Sequence, residues 1–158
     1  MKLVYYPDPA LTAKSEKVTD FDEALWQSLD VMRLIMKQNE GMGLAANQVG
    51  ICKSFFIMKD KRDQIWDFIN PEIIEQSGTQ YQQEGCLSFP GVFIQVPRAA
   101  SVTVKAQDRK GEEFHIIAED MEAICIQHEI DHIYGIIFLD KATRQQKRIA
   151  EAILRRKK

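Results

Sequence analysis

His128 and His132 stand four residues apart in the stretch HEIDH, with Glu129 directly after the first. Side chains four apart on a helix share one face a turn apart, so both imidazoles can offer a ring nitrogen to one cation. Glu129 then lies beside that cation, where a bound water would sit and a carboxylate can take its proton. A lone histidine is more often a packed or surface residue. Two at this spacing, on an apolar stripe with a glutamate between them, point to a metal site with its own general base.

Two imidazoles make half of a tetrahedral shell, so a further ligand must come from elsewhere. The candidates are Cys86, His115, Glu84 and the carboxylates downstream. His115 falls among alternating residues and reads as an ordinary strand residue. Glu151 is the only glutamate after HEIDH, and it lies in the basic terminal segment, so a peptidase-like site with a downstream glutamate ligand is poorly supplied. Cys86 lies in EGCLSFPG, a loop bracketed by Gly85 and Pro90 that could hold a thiolate rigidly.

The elements that must position these groups fit one compact domain covering residues 1–158. A chain of 158 residues with 45% apolar residues buries a core without a metal to fold it, so an ion here is catalytic rather than structural. The net charge of −2 marks neither a polyanion binder nor an acidic tail. Three cysteines, Cys52, Cys86 and Cys125, show no CxxC spacing, which argues against a disulfide framework and for a reducing compartment. Cys52 falls on a strand-like segment and reads as buried. The opening MKLVYYPDPAL resembles no signal or transit peptide, and no stretch is long enough to span a membrane, so the expected location is cytoplasmic.

Residues 3–18 read as extended, broken by Pro7 and Pro9. A helix is expected from Asp20, capped by its carboxylate with Glu23 completing a capping box. Phe21, Leu25, Leu29, Met32 and Met36 form its core stripe, and Gly41 stops it. The run GMGLAANQVG at 41–50 is too small to pack for its own sake, so something approaches its backbone closely. Strand-like segments follow in ICKSFFIM and IWDFINPEII, and residues 101–118 read as a hairpin joined by DRKG. The ligand helix runs from about Met121 to Tyr134 and ends at Gly135. The fold class is α+β, with antiparallel sheets around a central metal-binding helix, an N-terminal helix and a C-terminal helix.

GMGLAANQ at 41–48, EGCLS at 84–88 and QHEIDH at 127–132 resemble, in order and spacing, the signature motifs of the peptide deformylases of bacterial type 1. The resemblance extends over nearly the whole chain, including PDPAL, Pro97 and Arg98. It implies a hydrolase that removes the formyl group from the N-terminal formyl-methionine of nascent polypeptides as formate. It also implies that Cys86, His128 and His132 bind a divalent ion, natively Fe(II), with Glu129 as the base. Gln48 and the Leu87 backbone N–H would be the donors to the formyl oxygen. Gly43 would meet the peptide backbone, Met42, Ile124 and Cys125 would line the methionine pocket, and Arg98 and Gln82 would lie near its rim. A thiolate with two imidazoles suits Fe(II), Zn(II), Co(II) or Ni(II) over Mg(II) or Ca(II), so iron rests on the resemblance alone.

From Arg144 to Lys158 there are seven lysines and arginines against one acid. Thr143 can cap a helix there, with Ile149, Ile153 and Leu154 on its apolar side. Such charge is usually a solvated face, but the resemblance implies docking near the ribosomal exit tunnel, where Lys and Arg can pair with RNA phosphates. Neither DNA nor a membrane is an expected partner. Two other readings stay open: a zinc peptidase cutting internal bonds, and a ribosome-associated binding protein without catalysis.

Overall fold

The computed structural model describes residues 1–156. Seven strands and three α-helices make an α+β fold whose order is α1 (Glu23–Gln38), β1 (Gly43–Ala45), β2 (Phe55–Lys59), β3 (Ile65–Ser77), β4 (Gln80–Gly85), β5 (Phe93–Arg98), β6 (Ser101–Gln107), β7 (Glu113–Glu119), α2 (Asp120–Ile133) and α3 (Arg144–Arg156). Five strands form one antiparallel sheet in the order β1-β2-β3-β6-β7, and β4 and β5 form a separate hairpin. No helix among the described residues is long and apolar enough to cross a membrane.

Side chains alternate between the faces of a strand, so a strand covered on both sides must be apolar throughout. Phe55, Phe56, Ile57 and Met58 of β2 are all buried in this way. Phe56 and Met58 pack with Ala123, Cys125, Ile126, Ile130 and Ile133 of α2. Phe55 and Ile57 pack on the other face with Leu25, Leu29, Met32 and Met36 of α1. α2 is therefore seated on one side of the sheet and α1 on the other. A third cluster joins Ile94 and Val96 of β5 to Phe89, Phe138 and Ala150, and thereby ties the hairpin to α3.

Several boundaries differ from the expected ones, each for a local reason. The segment expected to be extended contains a 3₁₀ turn, Pro9–Thr12, because the Asp8 carboxylate accepts the Ala10 N–H at 2.9 Å. α1 is capped by Asp22, whose Oδ1 accepts the Leu25 N–H at 3.1 Å, so the expected box of Asp20 with Glu23 does not form. It ends at Gln38 with Asn39 as its cap, before Gly41 is reached. Cys52 is exposed, not buried: it precedes β2, beside the bridge between Glu16 and Lys53. Thr143 does cap α3, its Oγ1 accepting the Gln146 N–H at 3.1 Å. The buried side of α3 holds Ala150, Ile153 and Leu154, and Ile149, expected among them, is exposed. Lys157 and Lys158 of the expected terminal helix lie outside the described residues.

The two possible caps of α1 are separable in solution. Asp22→Ala should destabilise the protein by about 1 kcal/mol, and Asp20→Ala should stay within about 0.5 kcal/mol of the parent. Urea unfolding midpoints read the difference, and an equal loss in both variants would contradict the cap seen here.

Candidate active site

α2 carries His128 and His132 on adjacent turns, and their Nε2 atoms approach to 3.2 Å. The turn after β4 brings Cys86 Sγ to 3.4 Å from His132 Nε2. One ligand atom from each of these residues lies within 4.8 Å of the others. Of the remaining candidates, His115 stands exposed on β7 beside Glu113, and Glu151 lies on the outside of α3. Glu84 is close to the site but serves a different purpose.

Glu84 Oε1 lies 3.0 Å from His128 Nδ1. A carboxylate there holds the proton on Nδ1, which turns the Nε2 lone pair toward Cys86 and His132. Burial would raise the Glu84 pKa, but hydrogen bonds from His128 and Arg98 outweigh it and keep the carboxyl below its ordinary value. Arg98 grips both Glu84 oxygens, through Nε at 2.8 Å and Nη2 at 2.9 Å. Its remaining nitrogen, Nη1, donates to Asp131 at 2.6 Å. Arg98 thus stands behind the histidines, almost fully buried, and not at the pocket rim where the resemblance placed it. The alternation of β5 carries the reason: Ile94, Val96 and Arg98 all face inward, and an arginine on a buried face requires carboxylate partners.

Burial and the neighbouring His128 hold the His132 pKa well down. Burial also disfavours a charged His128, but contacts with Cys86 and Glu84 pull its pKa well above the ordinary value. Two imidazole nitrogens and a sulfur facing one point repel one another unless a proton or a cation lies among them. A small divalent ion with affinity for nitrogen and sulfur fits this donor set, and its binding would displace the proton.

Glu129 is buried beside these groups, and burial pushes its carboxyl up to about 7. Such a group can both accept and return a proton near neutrality. Gln48 is also buried, and its amide orientation is fixed at both ends. Its Oε1 accepts the Ala45 N–H at 2.9 Å, and its Nε2 faces Ser88 Oγ at 3.2 Å and Cys86 Sγ at 3.5 Å. The Leu87 N–H makes no hydrogen bond with any described residue.

A cavity of about 490 Å³ opens onto Cys86, His128 and Glu129. Met42, Gly43, Gln48, Leu87, Ile124 and Cys125 line it, and Arg98 does not. Gln83 lines it, and Gln82, expected near the rim, does not. At Gly43 a side chain would collide with Cys125 Sγ at 2.6 Å and Glu129 Oε2 at 2.7 Å, so the close approach expected from the small-residue run is to these two groups. Burial, followed by the charge of Glu129, pushes the Cys125 thiol well up, so it stays protonated. Ser88 and Asp131 form part of the site without having been read there from sequence, while Glu84 and Arg98, expected as a candidate ligand and a rim residue, join Asp131 in a charged trio.

The sequence model of the polypeptide deformylase family matches residues 1–148. A peptide deformylase of Chromobacterium violaceum is 42% identical over 161 aligned positions, spanning 100% of this chain and 96% of the relative. Peptide deformylase 1 of Shewanella oneidensis is 45% identical, over 89% of this chain and 84% of its own length. A crystal structure of a peptide deformylase from Legionella pneumophila superposes with a TM-score of 0.92 at 37% identity, covering 96% of this chain and 90% of that one. With Cys86, His128 and His132 converging as candidate donors for a metal ion, and a family model that matches residues 1–148, the chain belongs to the polypeptide deformylase family.

Proposed function

We propose that Cys86, His128 and His132 hold one divalent ion, and that Glu129, Gln48 and the Leu87 N–H carry out the family's reaction beside it. The chain is a hydrolase that removes the N-terminal formyl group from nascent polypeptides. The observation that supports the residue assignment is the convergence of one sulfur and two imidazole nitrogens next to a buried carboxyl and an oriented carboxamide, with Gln48, Cys86, His128 and Glu129 lining one cavity. An ion held there would acidify water and polarise the formyl oxygen.

The chain's own groups account for the remainder. Glu129 takes the proton of the attacking water and returns it to the departing amine nitrogen. Gln48 Nε2 and the Leu87 N–H face the negative charge that develops on the formyl oxygen; Ala45 fixes the carboxamide beforehand, so no reorganisation is needed during the reaction. Met42, Ile124 and Cys125 give the methionine side chain an apolar wall, and the Gly43 backbone, on the same cavity, meets the peptide. We assign Fe(II) as the native ion, with Zn(II), Ni(II) or Co(II) able to replace it, on family resemblance together with the thiolate and imidazole donors. The single domain at 1–158 works in the cytoplasm, which its three free thiols suit. Its basic α3, with Arg144, Lys147, Arg148, Arg155 and Arg156 all exposed, docks on the ribosome near the exit tunnel.

Glu129→Gln should keep the metal and lower kcat on a formyl-Met peptide by about 10² or more, because an amide cannot accept the proton. Gln48→Ala should lower kcat by roughly 10² with a smaller change in KM. Metal content and steady-state kinetics measured together check both, and an effect of Gln48→Ala confined to KM would make it a substrate-positioning group.

Protein prepared with iron should lose activity in air, and peptide mapping should find oxidation at Cys86 while buried Cys125 stays unmodified. The Ni(II) form should last longer. Equal air sensitivity of the two forms would argue against iron as the cause.

Paired substitutions Lys147→Glu and Arg148→Glu should weaken co-sedimentation with ribosomes and reduce its salt dependence, leaving turnover of a short formyl-Met peptide unchanged. Unaltered co-sedimentation would remove α3 from ribosome docking.

A further inference from the structure

The reaction leaves one surface cation without a task, although it joins the charged groups beneath the metal ligands. Lys141 Nζ lies 2.8 Å from Asp131 Oδ2, and the same oxygen accepts from Arg98 Nη1 at 2.6 Å. Arg98 in turn grips Glu84, whose Oε1 holds His128 Nδ1. We propose that Lys141 is a positioning residue for the metal centre, acting through Asp131, Arg98 and Glu84 on the orientation of His128. The inference rests on the reading of Cys86, His128 and His132 as ligands.

Charge balance is the first reason. Glu84, Arg98, Asp131 and Lys141 alternate in sign, two carboxylates with two cations. Arg98 and Glu84 side chains are 2% and 3% exposed, so solvent cannot neutralise a surplus charge between them. Without Lys141 the Asp131 oxygen keeps Arg98 Nη1 as its remaining cationic partner and draws the guanidinium toward itself, away from Glu84. The Glu84 oxygen that orients His128 is then held less firmly.

Packing supplies a second, independent link to the same imidazole. Lys141 closes the 3₁₀ turn Phe138–Lys141, and Phe138 meets the His128 ring edge-on, with centroids 5.6 Å apart at 83°. The pair of Lys141 with Asp131 therefore ties that turn to α2 on the side where Phe138 limits the swing of His128. Its setting also separates it from ordinary surface pairs. Lys141 is 39% and Asp131 16% exposed, and Asp131 shares one oxygen between two donors, whereas the Lys53–Glu16 pair is 49% and 76% exposed and touches nothing of the site.

The test uses the full-length protein loaded with Co(II), with metal loss to a chelating indicator timed and the visible absorption of the bound ion recorded. Lys141→Met should release Co(II) about 3- to 10-fold faster than the parent, less than the loss typical of a direct partner of a ligand, and should shift the absorption bands. Lys141→Arg should return both readouts to near the parent values, and Lys53→Met should leave them unchanged. In an Asp131→Asn background Lys141→Met should add nothing further. Parent-like Co(II) release from Lys141→Met, or an undiminished effect of that change in Asp131→Asn, overturns the proposal. Tight Co(II) retention by His128→Ala would instead overturn the ligand assignment, and this inference with it.

Discussion

The contact between the Glu84 carboxylate and His128 Nδ1 is the interaction on which the rest of the site depends. An imidazole can present a lone pair from either nitrogen, and only a fixed acceptor at one of them decides which faces the site. Glu84 is such an acceptor, 5% exposed and held at both oxygens by Arg98. Burying an unpaired carboxylate costs several kcal/mol, roughly the scale lost when one partner of a buried pair is removed. Arg98 is therefore as necessary to the histidine's orientation as Glu84 is, even though it lies outside the cavity. One carboxylate thus connects the hairpin of β4 and β5, which carries Cys86, to the helix that carries both imidazoles.

The sheet lets three separately placed segments meet at that point. β2 is apolar on both faces because α1 covers one and α2 the other, and the packing of Phe56 and Met58 on α2 sets the height of His128 over the sheet. β1 lies at the sheet edge beside β2, with Gly43 paired to Met58, and its small residues lie against α2. A methyl group at Gly43 would meet both Cys125 and Glu129, so the glycine sets how closely β1 and α2 can approach. The 3₁₀ turn Ala46–Val49 that follows then places Gln48 with its carboxamide already turned. Seating the helix on the sheet and spacing the residues along the loop are thus the same geometric problem for catalysis.

Short-range order was legible in the sequence. The HEIDH spacing marks both imidazoles and the carboxyl beside them, the stripe Leu25, Leu29, Met32 and Met36 marks the buried side of α1, and the small-residue run marks a close approach. Relations between distant segments were not legible from periodicity. Nothing local tells whether Asp20 or Asp22 caps α1, because both carboxylates can reach a first-turn N–H and tertiary position selects one. Cys52 reads as buried because it adjoins an apolar strand, yet that strand begins only at Phe55. The placement of Arg98 at the rim failed for a related reason: resemblance transfers a position without its partners, while the inward alternation of β5 and two carboxylates far along the chain decide where the guanidinium goes.

Concentrating charge and lone pairs in this way runs against the stability of the fold. Glu129 has one oxygen with no partner among the described residues, His132 Nδ1 has none, and the ligand atoms of Cys86, His128 and His132 crowd within 4.8 Å. Each costs free energy when water is excluded. The apolar clusters on both faces of the sheet offset that cost and hold the groups in place without the ion. A cation that satisfies the crowded lone pairs binds the folded chain and not the unfolded one, so its affinity and the stability of the fold are linked. A hydrogen-bond donor to the unpartnered Glu129 oxygen would raise stability at the expense of the carboxyl's basicity.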